Sequence, residues 1–279
     1  MTVAFERARR YLEMGRSRQA LEVLAELDSS TTDSPEAYML RGYALIGLGR
    51  HHDAAEAARS GLAQTPEAVQ LLHVLAMAEA GQGRLAEAEA AILAALEQEP
   101  EDVTLLCEYA ETLMRGAQLW KADQLLRLAA EIDHEAAEWR EGRVTLAYLR
   151  GDDHHAASLS RELLAEHPES IHGHRMLGLH ELNEGRPGAA TERFAEAVRS
   201  RPEEERFATE ARAARARVRN PLWWPTTLLL RDGSWLVWFG GLFLCGGVAA
   251  MGAETLGVIL FLLLIVVYLW ALIAPAVLE

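Results

Sequence analysis

Small and apolar positions recur along this chain with a period of 34 residues. Alanine stands at Ala20, Ala54, Ala88, Ala122, Ala156 and Ala190. A second column keeps the same spacing at Ala8, Gly42, Ala76, Ala110, Val144 and Gly178, and a third at Gly15, Gly49, Gly83, Ala117, Gly151 and Gly185. Pro66, Pro100, Pro168 and Pro202 close four units, with Thr32 and His134 in the other two slots. Each unit reads as helix, tight turn, helix and proline stop. Small residues allow two helices to cross closely, glycine suits the left-handed backbone after a helix end, and proline cannot continue a helix interior. No stretch alternates with period two over the length of a strand, so the pattern predicts no sheet. A fixed period of this length is the mark of a stacked repeat array.

The pattern changes after residue 202. Residues 203–220 read as one further helix, with Glu203–Glu205 at its start and Arg212, Arg215, Arg217 and Arg219 toward its end, as the helix dipole favours. Its polarity suits a solvating cap on a stack. Residues 221–233 contain Pro221 and Pro225, which separate it from two apolar stretches at 235–252 and 256–274. Each approaches the ~20 residues a helix needs to cross a bilayer, and only Glu254 is charged within the run. Residues 234–279 are thus expected to form a transmembrane hairpin. Trp223, Trp224, Trp235 and Trp238 with Arg231 mark its entry at the membrane interface. Basic residues lie only on the repeat side, which places the array in the cytoplasm and predicts a multi-pass protein of the bacterial inner membrane. Gly241, Cys245, Ala249 and Ala253 recur every fourth residue. That stripe packs on the second span, or mediates a homodimer or docking on another membrane protein.

The repeat resembles the tetratricopeptide repeat family. The residues 177–202, LGLHELNEGRPGAATERFAEAVRSRP, carry its small residue (Gly178), turn glycine (Gly185), helix-B alanine (Ala190), large apolar residue (Phe194) and closing proline (Pro202). The resemblance covers residues 1–202 as six repeats. It implies an all-α fold: a right-handed superhelix of six helix-turn-helix repeats plus the cap, followed by the two spans. Arg7, Arg41 and Arg143 depart from the pattern, standing where the family usually has a leucine-like residue. Arg140 and Ser160 weaken the fifth repeat, where Trp139 is expected to supply packing.

Composition narrows the function. Residues 1–202 carry a net charge of −13, which disfavours nucleic acid. Cys107 and Cys245 form no disulfide framework. The first residues, MTVAFERARRYLEMG, read as amphipathic helix and not as a signal peptide. No enzyme motif is present, and neither a cofactor nor a metal site is expected: His51–His52 and His154–His155 point apart on their helices.

The resemblance implies a concave face lined by first helices. Carried over by column, its rows include Phe5, Met39, His73, Cys107 and Glu141, then Tyr43, Met77 and Glu111, then Met114 and Tyr148. The early part is apolar and methionine-rich, as adaptable peptide-binding surfaces are. Glu108, Glu111, Glu138 and Glu141 make a later acidic patch. The expected function is a membrane-anchored scaffold that holds a protein segment, with apolar anchors and a basic end, in this groove during assembly of an envelope complex. The alternative is an accessory subunit whose hairpin docks on a transporter or secretion complex, with the repeats as a recruiting arm.

Overall fold

The computed structural model describes residues 2–27, 33–201, 204–219, 255–256 and 258–266. All regular structure among them is helical. The helices are α1 (Thr2–Glu13), α2 (Ser17–Ala25), α3 (Pro35–Gly47), α4 (His51–Leu62), α5 (Val69–Gly81), α6 (Leu85–Gln98), α7 (Val103–Arg115), α8 (Leu119–Ile132), α9 (Ala137–Leu149), α10 (Asp153–Glu166), α11 (Ile171–Asn183), α12 (Pro187–Ser200) and α13 (Glu205–Arg219). The chain divides into two compact units, one of residues 1–177 with 195–208 and one of residues 178–194 with 209–279.

Within the first unit each odd-numbered helix packs on the even one after it: α1 on α2, α3 on α4, and so on to α9 on α10. Each first helix also touches the first helix of the next pair, from α1 to α9. First helices therefore share one continuous face. The small columns explain how the pairs come so close. Ala8, Ala20, Ala54, Ala88, Ala110, Ala122 and Val144 are completely buried at the crossings. A methyl group added at Gly42 would lie 2.4 Å from Val74 Cγ1, far inside any non-bonded contact between carbon atoms. In the second unit, one added at Gly178 would lie 2.9 Å from Phe194 Cε1.

The turns inside the repeats share one hydrogen-bonded form. The glycine-column N–H donates to the carbonyl three residues back, as in Gly49 to Ile46 (2.8 Å) and Gly83 to Ala80 (3.0 Å). The next N–H reaches back five, as in Arg50 to Leu45 (2.8 Å) and Arg84 to Glu79 (2.9 Å). All six turns have this Schellman pairing, which satisfies the last carbonyls of the first helix. It requires a left-handed residue. The five glycines have φ between 67° and 77°, and Ala117 is forced to 57°.

Two buried carboxylates were not expected from the pattern: Glu79 in the first unit and, in the same column, Glu181 in the second. Glu79, 1% exposed, stands in the apolar column of Leu45 and Leu113. Its carboxylate is paired with the Arg59 guanidinium and lies 3.2 Å from Arg84 Nε. In the fifth repeat Trp139 does pack against the cluster of Ala110, Leu113, Leu126 and Leu146. Its indole N–H donates to the Asp133 carbonyl (2.9 Å), and the Arg140 guanidinium lies over its ring at 4.4 Å. Ser160 is fully buried, and its hydroxyl donates to the Ala156 carbonyl (2.8 Å).

The expected juxtamembrane and hairpin residues, including Trp223, Trp224, Arg231, Trp235, Trp238, Gly241, Cys245, Ala249 and Ala253, lie outside the described residues. Among the described residues no helix is long and apolar enough to cross a membrane. Residues 255–256 and 258–266 are helical, and Val258, Ile259, Leu262, Leu263 and Val266 are each more than half exposed.

Ala117 provides a test of the turn geometry. A left-handed backbone costs an L-residue roughly 1 kcal/mol, so Ala117→Gly is expected to raise the thermal midpoint by about 2–4 °C. Gly83→Ala should lower it by a similar amount, because open space surrounds that position and only the backbone resists. Calorimetry of both variants checks the pair of signs.

Candidate binding groove of the first helices

A cavity of about 1060 Å³ runs along the first helices of the first four repeats. Leu12, Met39, Ile46 and Met77 give it apolar surface, and Tyr43 adds an aromatic ring. Glu108 and Glu111 of α7 face it from the other side. Arg201 and residues 204–206 form a further wall, with Gly15 close against the backbone of Ser200 and Arg201.

The polar groups are connected. Tyr43 Oη lies 3.2 Å from His73 Nδ1, with the two rings edge to face at 6.0 Å. His73 Nε2 is 4.0 Å from a Glu108 carboxylate oxygen. Burial, then the charges of Glu108 and Asp102, push the Tyr43 phenol up to about 12, so it stays a neutral donor and acceptor. Next to it, Cys107 is pushed up to about 12 by burial and by the carboxylates of Glu138, Glu108, Glu141 and Asp102. The thiol thus lies in the field of several carboxylates. Glu141 itself is raised, first by burial and also by Glu138, while the bond from the Ser170 hydroxyl (2.5 Å) and the charges of His167 and Arg201 oppose the shift. Only part of the acidic charge is neutralised locally: Arg115 bonds Glu111 at 2.6 Å.

Beyond Glu141, Thr145 donates to the Glu141 carbonyl (3.2 Å), and its hydroxyl oxygen lies 3.0 Å from His172 Nε2. Burial, then Arg175, lowers His172 to about 4.

The residues expected at the groove fall into distinct places. Met39, Tyr43, Met77, Glu108 and Glu111 line the cavity, with His73 tied in behind Tyr43. Cys107 and Glu141 are partly buried beside them. Phe5 (3% exposed) and Met114 (5%) instead belong to the core, one against Ala8 and Leu24, the other against Leu113 and Leu126. Each lies on the seam side of its helix, where a neighbouring helix covers it. Tyr148 is 40% exposed at the end of α9 and does not line the cavity. Sequence columns carry no signal for Arg201 and Arg206, since a wall joining residues so distant in the chain leaves no periodic trace. On a second helix, His52, Asp53 and Glu56 converge at the surface, where Arg50 bonds Asp53 (2.6 Å).

Residues 5–69 and 39–103 each match the family model described as tetratricopeptide repeat. Residues 5–103 are tetratricopeptide repeats. No curated protein matches the chain significantly. Solved structures extend the likeness of fold beyond those repeats. A thermophilic tetratricopeptide repeat protein of Thermus thermophilus superposes with a TM-score of 0.57 at 18% identity, over 64% of this chain and 98% of that one. The Cut9–Hcn1 hetero-tetramer of the APC/C gives 0.62 at 12% identity, over 82% of this chain but 45% of that one. A human IFIT1 dimer with m7Gppp-AAAA gives 0.55 at 16%, over 77% of this chain and 55% of that one. At these identities the likeness is one of fold. In other proteins, arrays of tetratricopeptide repeats commonly mediate protein–protein interaction.

Two titrations check the groove's electrostatics. With its thiol near 12, Cys107 is expected to react with iodoacetamide at pH 8 more than ~100-fold slower than an exposed cysteine, because only the thiolate attacks. Glu138→Gln should recover part of the rate, and an ordinary rate in the unmodified protein would contradict the geometry. His172 sets a pH trend. The unfolded chain takes up its proton near pH 6.5 and the folded chain near 4, so this contribution is intact above 6.5 and falls away as pH drops toward 4. Urea titrations across that window should show a shallower decline for His172→Asn.

Proposed function

We propose that this protein is a non-catalytic, membrane-anchored tetratricopeptide repeat scaffold. Its first-helix groove holds a protein segment bearing apolar anchors and a basic end. The carrying observation is the cavity that joins Met39, Tyr43 and Met77 to Glu108 and Glu111. Methionines adapt to varied apolar side chains, and the tyrosine offers a rigid ring. Carboxylates near Cys107 disfavour an acidic occupant and favour a lysine or arginine side chain. Recognition of this kind reads a segment through a few anchors in a preformed groove.

Anchoring rests on the two apolar stretches of the sequence. The helical residues 258–266 expose large apolar side chains all round, a composition suited to lipid and costly in water. The basic residues before those stretches put the array on the cytoplasmic side of a bacterial inner membrane, where assembly of an envelope complex would supply segments to hold.

Photo-crosslinking in cells tests the groove. A photoreactive residue at Tyr43 is expected to give a discrete protein adduct that is absent with the probe at Gln98, an exposed position on α6. Lysine or arginine should lie in the captured peptide on the side facing Glu108. Equal adducts at both positions would remove the groove reading.

A further inference from the structure

The ends of the helix pairs in the first unit are not alike. One edge carries the turns within repeats, the other the loops between repeats. The turn edge runs from the last turn of each first helix through the first turn of its partner, for α1 to α10. It has eight basic and six acidic side chains. The loop edge is counted the same way, from the last turn of each second helix into the next repeat. Among the described residues it has two basic and fifteen acidic. The net negative charge of the array is thus concentrated on one edge. The other lies a helix length away, ~20 Å, or more than two Debye lengths at physiological salt.

The turn edge also breaks its own pattern at the fourth and fifth repeats. Trp120 is 64% exposed in a column otherwise filled by Arg18, His52, Ala86 and His154. Leu149 is 46% exposed where Glu13, Gly47, Gly81 and Arg115 stand in other repeats. Tyr148, 40% exposed, is its neighbour. These residues share one end of the α8–α9 pair, as the approach of Arg150 to Asp123 shows (3.8 Å). Two cations flank them with charge to spare. Lys121 bonds only the neutral Gln118 side chain (2.7 Å) among its described contacts, and Asp123 is already held more closely by Arg127 (2.8 Å) than by Arg150.

We infer that this turn edge rests on an anionic lipid surface, with Trp120, Tyr148 and Leu149 at headgroup depth and Lys121 and Arg150 on lipid phosphates. An aromatic ring with an adjacent cation is the chemistry of the membrane interface. The acidic loop edge is repelled by the same surface, so the field orients the array with its turns toward lipid. This inference rests on the anchoring reading, which supplies a membrane within reach.

The test uses the full chain with Cys107→Ser and Cys245→Ser, reconstituted in phosphatidylcholine vesicles containing phosphatidylglycerol and a nickel-chelating lipid. One nitroxide is placed at Gly116→Cys, an exposed turn-edge position where an added Cβ meets only ordinary contacts. The other is placed at Glu101→Cys on the loop edge, also exposed. Collision with the nickel lipid is expected to be at least ~3-fold greater at 116 than at 101. The difference should shrink in vesicles without phosphatidylglycerol, and with Trp120→Ala combined with Lys121→Gln. Both side chains are exposed, so circular dichroism should be unchanged. Equal collision rates in a chain that floats with the vesicles would overturn this inference alone. A chain that does not float would overturn the anchoring reading and this one with it. Spin–spin broadening at 116 that depends on protein concentration and not on lipid would assign the edge to a second copy and overturn the lipid contact.

Discussion

The fold depends on how closely two helices can approach where they cross. At every crossing but that of Val144 the space left is that of a hydrogen atom or a methyl group. Val74 occupies the volume a side chain at Gly42 would need, and Phe194 does the same at Gly178. The columns of alanine are buried for the same reason, with none more than 4% exposed. Once the crossings are fixed, the remaining geometry is constrained. The first helices line up on a common face, and the turns fall on one edge and the loops on the other. Groove and edges are consequences of the packing seam, and their chemistry is written in residues the seam leaves free.

That division explains what could be read from the sequence. Residues that make the seam recur at fixed spacing, so helix pairs, turns and stacking order were legible in the spacing alone. Even the fifth repeat's dependence on Trp139 showed as an aromatic residue beside missing apolar ones. Phe5 and Met114 were harder, since spacing along a helix does not say which side of a row a neighbour will cover. Glu79 was harder still. A glutamate in an apolar column reads as an irregularity, and its partners Arg59 and Arg84 lie in a different helix and a turn. The wall formed by Arg201 and Arg206 depends on contacts across more than 150 residues of chain, for which a repeat pattern has no signature.

Structures of the same fold underline where function resides. The superposable proteins include one solved with a capped oligonucleotide and one from a protein assembly, so the stack itself prescribes no ligand. What distinguishes this chain is the substitution of particular columns. Its groove side sets carboxylates near a partly buried thiol, and the phenol–imidazole contact of Tyr43 and His73 leads directly to one of them. A low-dielectric setting strengthens each of these interactions.

Near-identical repeats carry a hazard, because a helix pair that fits its neighbour also comes close to fitting the neighbour's neighbour. The buried carboxylate of Glu79 acts against that error. A slip by one repeat would set it opposite Ala25 or Leu93 in place of Arg59, while Arg84, in the turn of its own repeat, would move with it. A buried carboxylate that loses one of its two cations is far costlier than a mismatched methyl group. Glu79 therefore works as an address label in an otherwise interchangeable stack, telling the second and third repeats which partner is theirs.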